Sequence, residues 1–170
     1  MKFLLAQINP IVGDLEGNAK KILCTASKAS STSADLVLTP ELSLWGYPAN
    51  DLLLKKNLIK NQYQILDQLA LEINKKYGNL SITVGIAEII NDSFFPNLYN
   101  SIALLESGEW KIIARKIILP TYEVFDEKRY FRSEEKVSVL TKEINNKTWR
   151  LGFTICEDLW VNKDIEGRGI

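Results

Sequence analysis

The chain has 170 residues, 46% of them hydrophobic and 25% charged, with 21 basic and 21 acidic side chains and no histidine. That suffices for one globular domain with a core, and the balanced charge creates no overall field to draw the protein to nucleic acid or an anionic membrane. No apolar stretch approaches the roughly 20 residues that span a bilayer and the first ten residues turn polar too soon for a secretory leader, so the expected compartment is the cytoplasm, Cys24 and Cys156 are expected free, and no metal site is expected.

The stretch "KFLLAQIN" (2 to 9) predicts a buried strand, bounded by Pro10 and the Gly13-Asp14 turn. From Asn18, the helical recurrence of Ala19, Ile22, Leu23, Ala26 and Ala29 predicts an amphipathic helix capped by Asn18, with Cys24 on its apolar side as a packing residue. "DLVLTPE" (35 to 41) predicts a second strand, stopped by Pro40, which puts Glu41 at a strand's carboxyl end. After the turn-rich "LWGYPANDLLL", apolar spacing predicts a second helix over 57 to 75. Strands then follow at 80 to 89, 98 to 106 and 110 to 119, with a tight "SGE" hairpin at 107 to 109. A polar and aromatic segment leads to "VSVLTKEINNKTWRLGFTIC", read as two strands around an Asn-Asn turn. Two βα units passing into antiparallel strands predict an α/β fold with a mixed sheet, or two stacked sheets, and helices outside.

Loops at strand ends carry chemistry on such scaffolds, and Glu41, Lys116 and Cys156 occupy such ends. Singly, each has a plainer reading: a loop acid, a solvated edge charge, a small core hydrophobe. Together they supply what acyl transfer from an amide needs when histidine is absent. A free thiol has a pKa of about 8.5 and is mostly protonated at neutral pH. A carboxylate can take that proton and return it to the leaving amine, a step typically contributing about 10² to 10⁴ in rate. A cation near the sulfur favours thiolate and then stabilises the oxyanion, at roughly 3 to 4 kcal/mol per donor.

The order Glu, Lys, Cys at strand ends resembles the nitrilase, or carbon–nitrogen hydrolase, superfamily. "AQINPIVGDLEGNAKKI", "PELSLWGYPANDLL", "KIILPTYEVFDEKRYF" and "GFTICEDLW" are similar to one branch of it, the amidase domains of glutamine-dependent NAD+ synthetases. The resemblance implies an αββα sandwich of two mixed sheets with outer helices, incomplete here at its C-terminal end. It implies Glu41 as general base, Lys116 as catalytic lysine and Cys156 as the nucleophile that forms a thioester with L-glutamine. The backbone N–H of Glu157 would share the oxyanion with Lys116, and Glu127 matches an auxiliary glutamate, although a solvated charge cluster is the competing view of it. Tyr122 and Phe125 match aromatics beside the glutamine pocket, or are plain core aromatics. "LPTY" stands where "LPNY" is commoner in the family.

The resemblance further implies that residues 1–170 are part of a glutaminase domain that uses no cofactor or metal. The rest of that domain, and a synthetase domain using ATP and Mg2+, are expected outside this sequence, since no "SGG"-like Gly-rich stretch occurs in it. The full enzyme is expected to be a homo-oligomer. Three readings stand: the glutamine-hydrolysing part of such a synthetase, a free-standing amidase for another small amide, and a non-catalytic remnant.

Overall fold

The computed structural model describes residues 1–78, 80–90 and 94–160; the "DIEGRGI" ending lies outside the described residues. Strands β1 (Phe3–Leu5), β2 (Leu36–Leu38) and β3 (Ser81–Ile89) run parallel, and β4 (Leu98–Glu106) and β5 (Glu109–Arg115) continue the same sheet antiparallel, in the order β1-β2-β3-β4-β5. Strands β6 (Ser138–Ile144) and β7 (Lys147–Phe153) form a second, two-stranded antiparallel sheet. The α/β class with two sheets is therefore observed, with the mixed character confined to the first sheet among the described residues.

Helices α1 (Leu15–Ser31) and α2 (Lys56–Tyr77) pack on one face of the first sheet. Their apolar stripes, Ile22, Ala26 and Ala29 from α1 and Ile59, Leu66, Leu69 and Ile73 from α2, share one core with Ile82, Val84 and Ile86 of β3. Side chains alternate along a strand, so Ser81, Thr83 and Gly85 face the other way. There the second sheet docks, and Lys142 of β6 binds both Ser81 and Glu106.

Both hairpins follow from turn chemistry. Ser107 and Gly108 (φ 56° and 83°) and Asn145 and Asn146 (φ 52° and 59°) hold positive φ at both central positions, as a two-residue turn between twisted strands requires.

Three local expectations are corrected. The α1 cap is Asp14, whose carboxylate accepts from Gly17 N–H at 2.9 Å. Asn18 is instead fully buried inside the helix, and its amide ties Ile11 N–H and C=O (both 2.8 Å) and Leu44 C=O (3.0 Å), fastening two loops. Cys24 is exposed, because two residues carry it about 200° round the helix from Ile22 and from Ala26. The strands β1, β2 and β5 are shorter than the predicted ranges, and β1 is an edge strand with Phe3 and Leu5 exposed rather than buried; β5 ends at Arg115, leaving Lys116 just beyond it.

Candidate active site

Glu41 sits in a loop clamped onto the sheet. Leu44 N–H donates to Gly85 C=O at 3.1 Å, Gly85 N–H donates to Ser43 Oγ at 2.9 Å, and Thr39 Oγ1 donates to Thr83 C=O at 2.8 Å. Trp45, fully buried, gives its indole N–H to Gln62 of α2 at 2.6 Å. The approach is so close that a Cβ on Gly85 would lie 2.3 Å from Leu42 N, a backbone atom that cannot swing aside. Gly85→Ala is therefore expected to displace the Glu41 loop and cost about 3 kcal/mol, a fall in Tm on the order of 10 °C by thermal unfolding.

Lys116 and Arg115 are neighbours pointing in opposite directions. Arg115 lies on the helix-side face, where Glu88 (2.6 Å) and Glu134 (3.1 Å) pair with it over the Tyr99 ring. Lys116 turns inward and is completely buried, with Nζ 2.6 Å from Glu41 Oε1 and 2.8 Å from Glu127 Oε1. Burial alone disfavours its ammonium, but the two carboxylates outweigh that and hold Lys116 above the ordinary lysine value. Glu127 is 4% exposed, so it is no solvated surface acid. Desolvation raises its pKa despite Lys116, and Tyr47 donates its hydroxyl proton to Glu127 Oε1 at 2.7 Å.

Cys156 opens a 3-10 turn (Cys156–Leu159) directly after β7 and adopts φ 48°, a left-handed conformation that costs a side-chain-bearing residue energy and recurs where a nucleophile is presented. Its thiol is exposed rather than packed in the core. Partial burial and the Glu41 carboxylate push the thiol pKa up, against the pull of Lys116. Asp158 fixes the turn in place: Oδ1 accepts from Ile117 N–H (3.0 Å) and Ile118 N–H (2.7 Å), and Oδ2 accepts from Ile155 N–H (3.0 Å). One side chain thus ties the loop after Lys116 to the turn carrying Cys156.

Glu41, Lys116, Cys156 and Glu127 therefore converge. Glu157 is buried and its carboxylate accepts from the Tyr122 hydroxyl at 3.0 Å. Phe125 packs between Tyr122 (ring centroids 5.4 Å apart) and Tyr47 (6.2 Å), making a half-buried aromatic wall rather than core. A cleft of about 100 Å³ lined by Glu41, Asn100, Ile102, Thr154, Ile155 and Cys156 lies alongside. Tyr47, Asn100 and Asp158 were not singled out from the sequence. Tyr47 and Asp158 do lie inside the quoted "GYP" and "CED" stretches, while Asn100 carries no local signal within its strand.

Comparison with known proteins fits this geometry. The chain is 40% identical to a glutamine-dependent NAD(+) synthetase of Synechocystis sp. over 164 residues, covering 96% of this chain and 29% of that protein. It therefore spans under a third of that relative's length. The glutamine-dependent NAD+ synthetase of Acinetobacter baumannii, solved with ADP, superposes with a TM-score of 0.78 at 34% identity, covering 98% of this chain and 29% of that one. An amidase of Nesterenkonia sp. AN1 shares the fold with a TM-score of 0.72 at 22% identity, covering 95% of this chain and 57% of its own. The carbon-nitrogen hydrolase family model matches residues 5–165, a span that contains β2 to β7 and every residue of the carboxylate, ammonium and thiol cluster; this chain belongs to the carbon-nitrogen hydrolase family.

Proposed function

We propose that this chain is the glutamine-hydrolysing part of a glutamine-dependent NAD+ synthetase, releasing ammonia and glutamate from L-glutamine through a Cys156 thioester. The observation that carries the reading is a single carboxylate, Glu41, that sits 2.6 Å from the Lys116 ammonium and lines one cleft with Cys156. Because the thiol pKa is raised, ground-state thiolate is scarce at neutral pH and a base is needed at the moment of attack. Glu41 takes the proton as sulfur adds to the carboxamide carbon. The oxyanion is held by Lys116 and the backbone N–H of Glu157. Glu41 then returns the proton to nitrogen, ammonia leaves, and a water activated by Glu41 hydrolyses the thioester. Glu127, steadied by Tyr47, holds Lys116 in place, and Tyr122 and Phe125 wall the substrate.

The relatives' names support glutamine as substrate. In a longer protein, transfer of the ammonia to a synthetase part that uses ATP and Mg2+ belongs to the same proposal. No helix among the described residues is long and apolar enough to cross a membrane.

Incubation with L-glutamine is expected to release ammonia and glutamate in equal amounts, with asparagine and simple aliphatic amides turned over far more slowly. Hydrolysis of another small amide but not glutamine would point instead to a free-standing amidase. Glu41→Gln separates base from electrostatics. It removes the charge that raises the thiol pKa, so Cys156 alkylation by iodoacetamide should begin at lower pH, while kcat falls about 10² to 10⁴. Unchanged kcat in that variant would exclude Glu41 as the base.

A further inference from the structure

We propose that Asn100 is a positioning residue of this site: its side-chain amide decides which oxygen of Glu41 receives the Cys156 proton. The inference rests on Glu41 acting as the base.

Asn100 lies in the central strand β4 and is 1% exposed. Its Nδ2 donates to Glu41 Oε1 at 2.7 Å, the same oxygen that takes Lys116 Nζ at 2.6 Å. Two donors on Oε1 leave the lone pairs of Oε2 as the open acceptor, so the proton arriving from sulfur is directed there. Through its backbone, Asn100 also receives the Lys116 N–H at 2.8 Å, so one residue fixes the base with its side chain and the buried cation with its carbonyl.

The other end of the amide is the second observation. Asn100 Oδ1 is buried with no hydrogen-bond partner. A buried asparagine retained for packing would have both ends satisfied. Here only the donor end is used, and it is used on Glu41. Leucine, close in shape, would fill the same space without an orphaned oxygen, so asparagine at this position costs stability that its hydrogen bond to Glu41 explains.

Charged and titratable groups reach Glu41 from each neighbouring element: Lys116 beyond β5, Glu127 from the following loop, Cys156 from the turn after β7, and Tyr47 from its own loop. None of the others offers the carboxylate an uncharged amide donor.

The test compares wild type with Asn100→Leu, and with Asn100→Ala should the leucine variant not fold, in the full-length protein. Two pH profiles are read: ammonia release from glutamine, and alkylation of Cys156 by iodoacetamide followed by mass, with exposed Cys24 as internal reference. The expected result is an alkylation limb moved upward by on the order of one pH unit, because a carboxylate stripped of one donor pushes the Cys156 thiol further up, by the size of one lost hydrogen bond to a charged group. Plateau kcat falls, KM for glutamine stays within about twofold because the substrate contacts are untouched, and Tm is unchanged or higher. An unmoved alkylation limb in a folded variant, or a loss of activity that merely follows a loss of Tm, overturns the proposal. If wild type releases no ammonia, the proposed function fails on its own account, and the alkylation profile still decides the role of Asn100.

Discussion

Lys116→Met is expected to reduce kcat for glutamine hydrolysis by at least about 10² to 10³ and to destabilise the fold by about 3 to 5 kcal/mol at neutral pH. The two effects share one cause. Lys116 is wholly buried between Glu41 and Glu127, so removing it deletes an oxyanion donor and strands two carboxylates at once. Methionine conserves the stem, so the loss is of charge and not of volume. The pH dependence has a definite sign. In the wild type the folded-state pKa of Lys116 is raised, so its contribution is complete below the ordinary lysine value and is lost only as pH climbs through the raised one. In the variant, Glu127 is already driven toward its neutral form by burial, so the penalty is smallest in acid, where that carboxyl is protonated. It grows as pH rises past the ordinary carboxylate range of about 4. Urea titrations of both proteins at pH 4 and pH 7 measure this, and a stability gap equal at the two values would contradict it.

Cys156→Ala is expected to bring turnover down to background, a loss on the order of 10⁶, with almost no change in Tm. The thiol is exposed and fills no core space, so its removal opens no cavity. Cys156→Gly should be equally inactive and more stable by about 1 kcal/mol, because glycine adopts φ 48° without strain. Turnover surviving in either variant would move the nucleophile elsewhere. A stabilised, inactive glycine variant would show that the fold bears a cost to present the sulfur.

How much of this could be read beforehand divides along a physical line. Glu41 and Cys156 are legible because each follows an apolar run, and strand ends are where such sheets collect their chemistry, whereas Lys116 falls inside the predicted strand 110 to 119 and is legible through the family motif. The hairpin at Ser107-Gly108 and the Asn145-Asn146 turn are legible because their residue types are those that accept positive φ. Asn100 and Tyr47 are not, since their meaning lies in partners 59 and 80 residues away, which no local pattern encodes. Asp158 works at separations of 40 and 41 residues. Asn18 misleads for a related reason: asparagine suits both a helix cap and a buried loop clamp, and only the position of the Leu44 carbonyl decides between them. In β1 the apolar run outlasts the strand, because the following Ala6 is buried as well.

The central claim is that Glu41 and Lys116 act together on Cys156 to open a carboxamide without imidazole. The most direct measurement is peptide mass mapping after exposure to a glutamine-shaped diazoketone. One adduct on Cys156, suppressed by added L-glutamine and beginning at lower pH in Glu41→Gln, with Cys24 unmodified, is the predicted result. Equal labelling of Cys24 and Cys156, indifferent to glutamine and to the loss of Glu41, would contradict the account.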